Sequence, residues 1–243
     1  MGPQPPLSVR KLLLVGAGGF GREAAEAVRS ANALNPRWEL LGFLDDDPAK
    51  RGTKIDGLRV LGGVLAARAM HDVQLLLCPV RPDSYGARRL LAGRLRLGDG
   101  RYATLVHPTA TIGSTCRVGA GSVLLAHVDL TANVTVGRHV AIMPQTVLTH
   151  DVEIGDFATL ASGVRLGGGC RVAEGAYVGS GACVREGITI GRGALVGMGS
   201  IVTRDVPPGR VWFGAPARDV SAAPGWVAAS RFALGSAARS EAA

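Results

Sequence analysis

Aromatic side chains are scarce, with five Phe, three Tyr and three Trp in 243 residues. A core without them must be filled by closely packed aliphatic and small side chains. The four cysteines, Cys78, Cys116, Cys170 and Cys183, show no CxxC spacing. That leaves a zinc site unsupported and fits thiols kept reduced in the cytoplasm. No apolar run reaches the length of a membrane span. The opening "MGPQPPLSVRKLLLVGAGG" meets its glycines too early to serve as a signal sequence. Lysine is nearly missing, three against 24 Arg, and the net charge of +8 is spread without a block of one sign. No basic run is interleaved with aromatics, which argues against nucleic-acid binding. The excess reads as solvated surface, with some Arg near anionic ligands. The expectation is a cytoplasmic protein with neither metal nor membrane anchor.

What is abundant is glycine, 35 residues, without a collagen-like period. The first cluster lies in "KLLLVGAGGFGREAAEAVRSAN". Lys11 to Val15 reads as a buried strand, and a helix runs from about Phe20 to Ser30. Gly16, Gly18 and Gly21 between them satisfy G-x-G-x-x-G. Such a turn aims backbone N–H groups and a helix N-terminus at an anion, typically a phosphate. A second strand, "WELLGFLDDD", ends in Asp45, Asp46 and Asp47, placed to accept hydrogen bonds from a ribose or base. "VQLLLCPV" supplies a third strand and "RRLLAGRL" a helix. This is a small Rossmann-like α/β unit of residues 1–103, one mononucleotide-binding half. A full NAD site spans two such halves, so a nicotinamide-dependent oxidoreductase is the weaker reading. A glycine turn needed only for helix–strand packing is the bland alternative.

From Val106 the sequence divides into seventeen consecutive sixes without an insertion, beginning VHPTAT, IGSTCR, VGAGSV. Every first position is Val, Ile or Leu, and every fifth is Ala, Cys, Ser, Thr, Val or Ile. Glycine is frequent at the second. One large and one small inward residue per six describes a short strand plus a corner. Three strands close a triangular coil, and coils stack at about 4.8 Å. The prism domain is expected over 104–220, with an alanine-rich tail at 221–243 that reads as a short helix or loose end. A β-helix used purely as scaffold would repeat one polar residue in ladders, and no such ladder is present.

Within "LTHDVEIGDF", His150 is the third residue of its six, flanked by inward Leu148 and Val152, and reads as an outward residue. A histidine suits general-base work at neutral pH, and an adjacent Asp151 can orient and stabilise it. His127 and His139, at fourth positions, read as surface or subunit-interface residues, and His107 marks the entry into the prism. No long loop projects from the repeat, so the wall at His150 needs an adjacent prism and the front domain to form a pocket. A trimer is the simplest closed assembly that provides one.

The motifs "VGAGGFG", "GFLDDD", "LTHDVEIGDF", "LGGG" and "WFGAPAR", together with the repeat, resemble the hexapeptide-repeat sugar acyltransferases. These comprise enzymes that N-acetylate nucleotide-linked amino sugars and the sialic-acid O-acetyltransferase branch. The resemblance runs from about Lys11 to Asp219. It implies a left-handed parallel β-helix, a homotrimer with sites between subunits, and acetyl-CoA as cosubstrate. It also implies His150 as base, Asp151 as its partner and Gly168 as the oxyanion donor. Ser180 and Met198 then line the acyl-CoA path, and Gly18, Gly19, Phe20, Asp45 and Asp46 hold the nucleotide. Thr159 stands where the family often has a second histidine that contacts the acyl-CoA, and Phe20 where some members have histidine. "CPVRPD" replaces a more amide-rich segment. Sugar O-acetylation is the runner-up, since one base serves both nucleophiles. A zinc hydratase, with metal held between histidines of neighbouring chains, is a more distant alternative.

Overall fold

The computed structural model describes residues 9–222; the alanine-rich tail beyond residue 222 lies outside the described residues. Strand β1 (Arg10–Val15) leads through the glycine turn into helix α1 (Gly19–Leu34). The helix runs one turn further than the apolar spacing predicts. Asn35 is extended, at φ −149 and ψ 103, as a residue before proline prefers, and Pro36 ends the helix. Strand β2 (Trp38–Leu44) pairs parallel to β1. A hairpin of β3 (Lys54–Ile55) and β4 (Leu58–Gly62), absent from the sequence reading, extends the sheet beyond β2. Its two-residue turn is Asp56-Gly57, with φ of 49 and 82, the left-handed pair that a tight hairpin requires. Strand β5 (Val73–Leu77) lies on the other side of β1, giving the order β3-β4-β2-β1-β5. Helix α2 (Ala87–Leu95) and a 3-10 helix, Val64–Ala69, cover one face of this sheet. Helix α1 covers the other, where Phe20, Ala24 and Val28 share a core with Leu105, Val123 and Ala141 of the prism. The two units are thus joined by a continuous apolar contact.

From Leu105 onward the chain forms a left-handed parallel β-helix of two-residue strands, each paired with the strand eighteen residues later. Three sheets make a triangular prism. Face I carries Thr111–Ile112 through Ile201–Val202, and face II Arg117–Val118 through Thr189–Ile190. Face III starts at Leu105–Val106 and reaches Leu195–Val196. It then continues into a hairpin of Arg210–Gly214 and Ala217–Ala222. The last strand runs two residues past the domain end expected at 220. Inward first and fifth positions such as Leu148, Val152, Ile154 and Ala158 form the buried core. Ile112 in the first coil is partly exposed, because no complete coil lies beneath it.

The glycines of the repeat answer two distinct demands. The fourth residue of fourteen successive sixes, from Gly121 to Gly199, is left-handed. From Gly163 on that residue is glycine, but from His127 to Phe157 six consecutive corners carry side chains at φ 55 to 61. A side chain there costs about 1 kcal/mol or more unless it is Asn, Asp or a similar residue. Second-position glycines serve close approach instead: a Cβ on Gly155 would sit 2.6 Å from the Glu174 nitrogen of the next coil. Among the described residues no helix is long and apolar enough to cross a membrane, and no group of three or more His, Cys, Asp or Glu could hold a metal.

Candidate active site

His150 and Asp151 occupy the corner between faces I and II. Asp151 is one of the left-handed corner residues, at φ 61. That turn brings its carboxylate back to its own neighbour, and His150 Nδ1 lies 2.8 Å from Asp151 Oδ2. The other carboxylate oxygen accepts the Asn133 side-chain N–H at 2.7 Å. Asn133 is the matching corner residue one coil earlier, exactly one period of eighteen away. The Asn133 and His150 hydrogen bonds hold the Asp151 carboxyl below its usual range. The His150 side chain is 68% exposed, and with Nδ1 paired, Nε2 is the nitrogen left to act outward.

Gly168 stands one coil after His150 at the same corner. A Cβ there would collide with His150 Cε1 and Nε2, so only glycine leaves room for this ring position. Third-position N–H groups lie outside the ladder that joins the coils: Gly167 and Gly169 donate to Val184 and His150 carbonyls, while Gly168 has no backbone acceptor. A base and a free N–H are thereby brought side by side.

The glycine turn of the front domain is built as the motif requires. Gly16 is left-handed at φ 107, and a Cβ on Gly21 would strike the Gly16 carbonyl oxygen. Gly18 caps α1 without a side chain, and the first turn carries no acid. Gly18 and Gly19 are exposed, with open space where a Cβ would lie. Phe20 turns its ring into the shared core, because the helix face it occupies packs on the prism; its main-chain N–H is what remains at the turn. Asp45 departs from the expected outward role. It accepts Ala17 N–H at 2.8 Å, Asp47 N–H at 2.9 Å and Lys50 Nζ at 3.1 Å. Burial raises its pKa, but those three donors outweigh burial and the net shift is downward. Asp45 therefore braces the turn. Asp46 accepts Val64 N–H and an Arg94 guanidinium N–H and stays half exposed.

Ser180 and Met198 lie together at the corner between faces III and I, the opposite edge of face I from His150. They line a cavity of about 340 Å³ with Tyr177, Leu195, Phe213 and Pro82 of the front domain. Thr159 does not reach that cavity or His150. It is fully buried on face III, its hydroxyl accepting from Arg88 at 2.7 Å, since the front domain covers this part of the face. His139 also departs from its expected surface position. Its ring stacks on Phe157, 4.9 Å between centroids, and meets Tyr102 edge-on. Burial first, then the Arg88 charge, pushes its pKa down to about 4. His127 is exposed, and His107 is partly buried. Asn133, Tyr85 and Arg88 went unnoticed in the sequence; the period of eighteen marks Asn133, whereas no local pattern marks the other two.

Comparison with known proteins adds independent support. Residues 11–76 match the family described as PglD N-terminal domain, and residues 133–168 match Bacterial transferase hexapeptide (six repeats). A GDP-perosamine N-acetyltransferase of Escherichia coli O157:H7 is 28% identical over 150 residues. That match takes in 61% of this chain and 66% of the enzyme, just under two thirds of its length. The acetyltransferase domain of PglB from Neisseria gonorrhoeae FA1090, solved with acetyl coenzyme A, superposes with a TM-score of 0.78 at 26% identity. It covers 88% of this chain and 100% of that one. A histidine-to-alanine variant of GDP-perosamine N-acetyl transferase from Caulobacter crescentus, in complex with CoA and GDP-perosamine, gives 0.77 at 26% identity, covering 88% and 99%. With a PglD-type front domain packed on a hexapeptide prism, the chain is similar in both its parts and its overall fold to these sugar acetyltransferases.

Proposed function

We propose that the chain transfers the acetyl group of acetyl-CoA to the amino group of a nucleotide-linked amino sugar, with His150 as general base. The observation that carries this reading is the His150–Asp151 pair beside the Gly168 N–H. A base and an oxyanion donor at one corner are what acyl transfer to an amine requires. The amine nitrogen attacks the thioester carbonyl carbon, and an N–C bond forms. His150 Nε2 takes the amine proton as charge builds on the carbonyl oxygen, which accepts from Gly168 N–H. When the C–S bond breaks, His150 returns the proton to the leaving sulfur, giving CoA thiol and an N-acetyl amide. Asp151 holds the imidazole in the productive tautomer and stabilises its cation.

In this reading residues 1–103 hold the nucleotide, through the N–H groups of Gly18, Gly19 and Phe20 and through Asp46, with Asp45 bracing the turn. Residues 104–220 carry the chemistry, with Ser180 and Met198 on the cosubstrate path. Two adjacent prisms of a homotrimer close each site. The relatives solved with acetyl coenzyme A, and with CoA and GDP-perosamine, support this choice of ligands.

The test is thiol release from acetyl-CoA by the purified chain. It is assayed with UDP-, dTDP- and GDP-linked amino sugars and with their hydroxyl analogues. Turnover is expected with an amino sugar and is expected to collapse in His150→Ala. A preference for hydroxyl analogues, or full activity without the imidazole, overturns the proposal.

A further inference from the structure

We infer that the front domain forms a wall of the pocket that takes the thioester cosubstrate, beyond its role at the nucleotide turn. This inference rests on the function proposed above. The segment between β5 and α2 leaves the sheet at Cys78 and lies across face III. It is pinned at both ends. At the start, Pro79 carbonyl accepts from Arg88 Nη1 at 3.0 Å. The same guanidinium donates to the His139, Phe157 and Ala158 carbonyls and to the Thr159 hydroxyl, at 2.7 to 3.1 Å. At the far end, Tyr85 donates its hydroxyl to the Gly193 carbonyl at 2.8 Å. Its ring lies 5.7 Å from that of Tyr177.

Between these pins Pro82 lines one cavity with Tyr177, Ser180, Leu195, Met198 and Phe213 of the prism. The cavity's volume of about 340 Å³ falls within the roughly 300–1,000 Å³ range of small-ligand clefts. A mainly apolar lining, with hydroxyls on Tyr177 and Ser180 alone, suits the methylene- and methyl-rich arm that carries a CoA sulfur. Arg88 is 1% exposed and all five of its hydrogen bonds go to neutral oxygens. A buried cation without a carboxylate is costly. Its acceptors join segment 79–88 to two successive coils, so what it provides is a fixed position for that wall. Arg88 and Tyr85 are positioning residues, and Pro82 is the contact.

Calorimetric titration of the full chain with CoA, and separately with a nucleotide-linked amino sugar, tests this on Pro82→Gly and Tyr85→Phe. A lost neutral hydrogen bond or contact predicts CoA binding weaker by about threefold to tenfold in each. Affinity for the sugar nucleotide is expected to stay within about twofold, below that predicted loss. Unchanged CoA affinity in both variants overturns the inference. Equal loss of both ligands also overturns it, because general loosening then explains the effect. Failure of the unsubstituted chain to bind CoA overturns the proposed function, and this inference with it.

Discussion

At the scale of single residues, Asp151 works with both oxygens: one receives His150 and the other Asn133. Removing the imidazole in His150→Ala is expected to lower kcat by roughly 10²- to 10⁴-fold. Asp151→Asn keeps the shape but cannot stabilise an imidazolium, so a smaller loss of roughly 10- to 100-fold is expected. Steady-state rates of the two variants order them, and an equal or larger loss in Asp151→Asn contradicts the assigned roles. His139 makes a separate prediction about stability. Its unfolded imidazole takes a proton near pH 6.5, whereas the folded ring does so only near 4. Its neutral form is therefore fully compatible with folding above pH 6.5, and stability falls as pH drops from 6.5 towards 4. The loss is on the order of 2–3 kcal/mol. Urea midpoints at pH 7, 5.5 and 4.5 should show this slope, and His139→Phe, which keeps an aromatic at a corner that Phe157 also tolerates, should flatten it. The His150–Asp151 pair was legible because its members are neighbours in sequence. The burial of His139 was not, since the alternation of the repeat turns it outward and only the packed front domain covers it.

At the scale of elements, the six-residue pattern specifies inward and outward positions with little ambiguity, because the side-chain period is short and uninterrupted. It does not distinguish the two uses of glycine, which differ in backbone angle and in distance to the next coil. Gly155→Ala places a Cβ against backbone that cannot yield, and a loss of about 3 kcal/mol is expected. Gly163→Ala meets nothing closer than 3.8 Å and incurs only the left-handed penalty, about 1–2 kcal/mol. Thermal unfolding should place the Gly155 variant clearly below the Gly163 variant. The reverse order would mean that corner angle, and not coil spacing, limits the fold. The missed β3–β4 hairpin was legible at Asp56-Gly57, a dipeptide that encodes its own turn. Arg88 was not legible: it meets Thr159 across 71 positions, and no local pattern signals a contact between two domains.

At the scale of the whole molecule, His150 and the Ser180–Met198 cavity sit on opposite edges of face I, so one chain does not bring the proposed base and the proposed cosubstrate pocket together. The proposed trimer would provide that meeting by apposing the His150 corner of one prism to the Ser180–Met198 corner of the next. Sedimentation should give a species of about 75 kDa, three copies of a 25.0 kDa chain. Specific activity should fall on dilution into the dissociating range, and a fully active monomer would break the argument. The stacking also constrains chain length. Deleting six residues ahead of Gly168 leaves the hydrophobic rhythm intact yet rotates all later coils by one side of the triangle, parting Gly168 from His150. The prism thus has a reading frame of eighteen, and a frameshift in it scrambles vertical neighbours while every residue remains individually well placed.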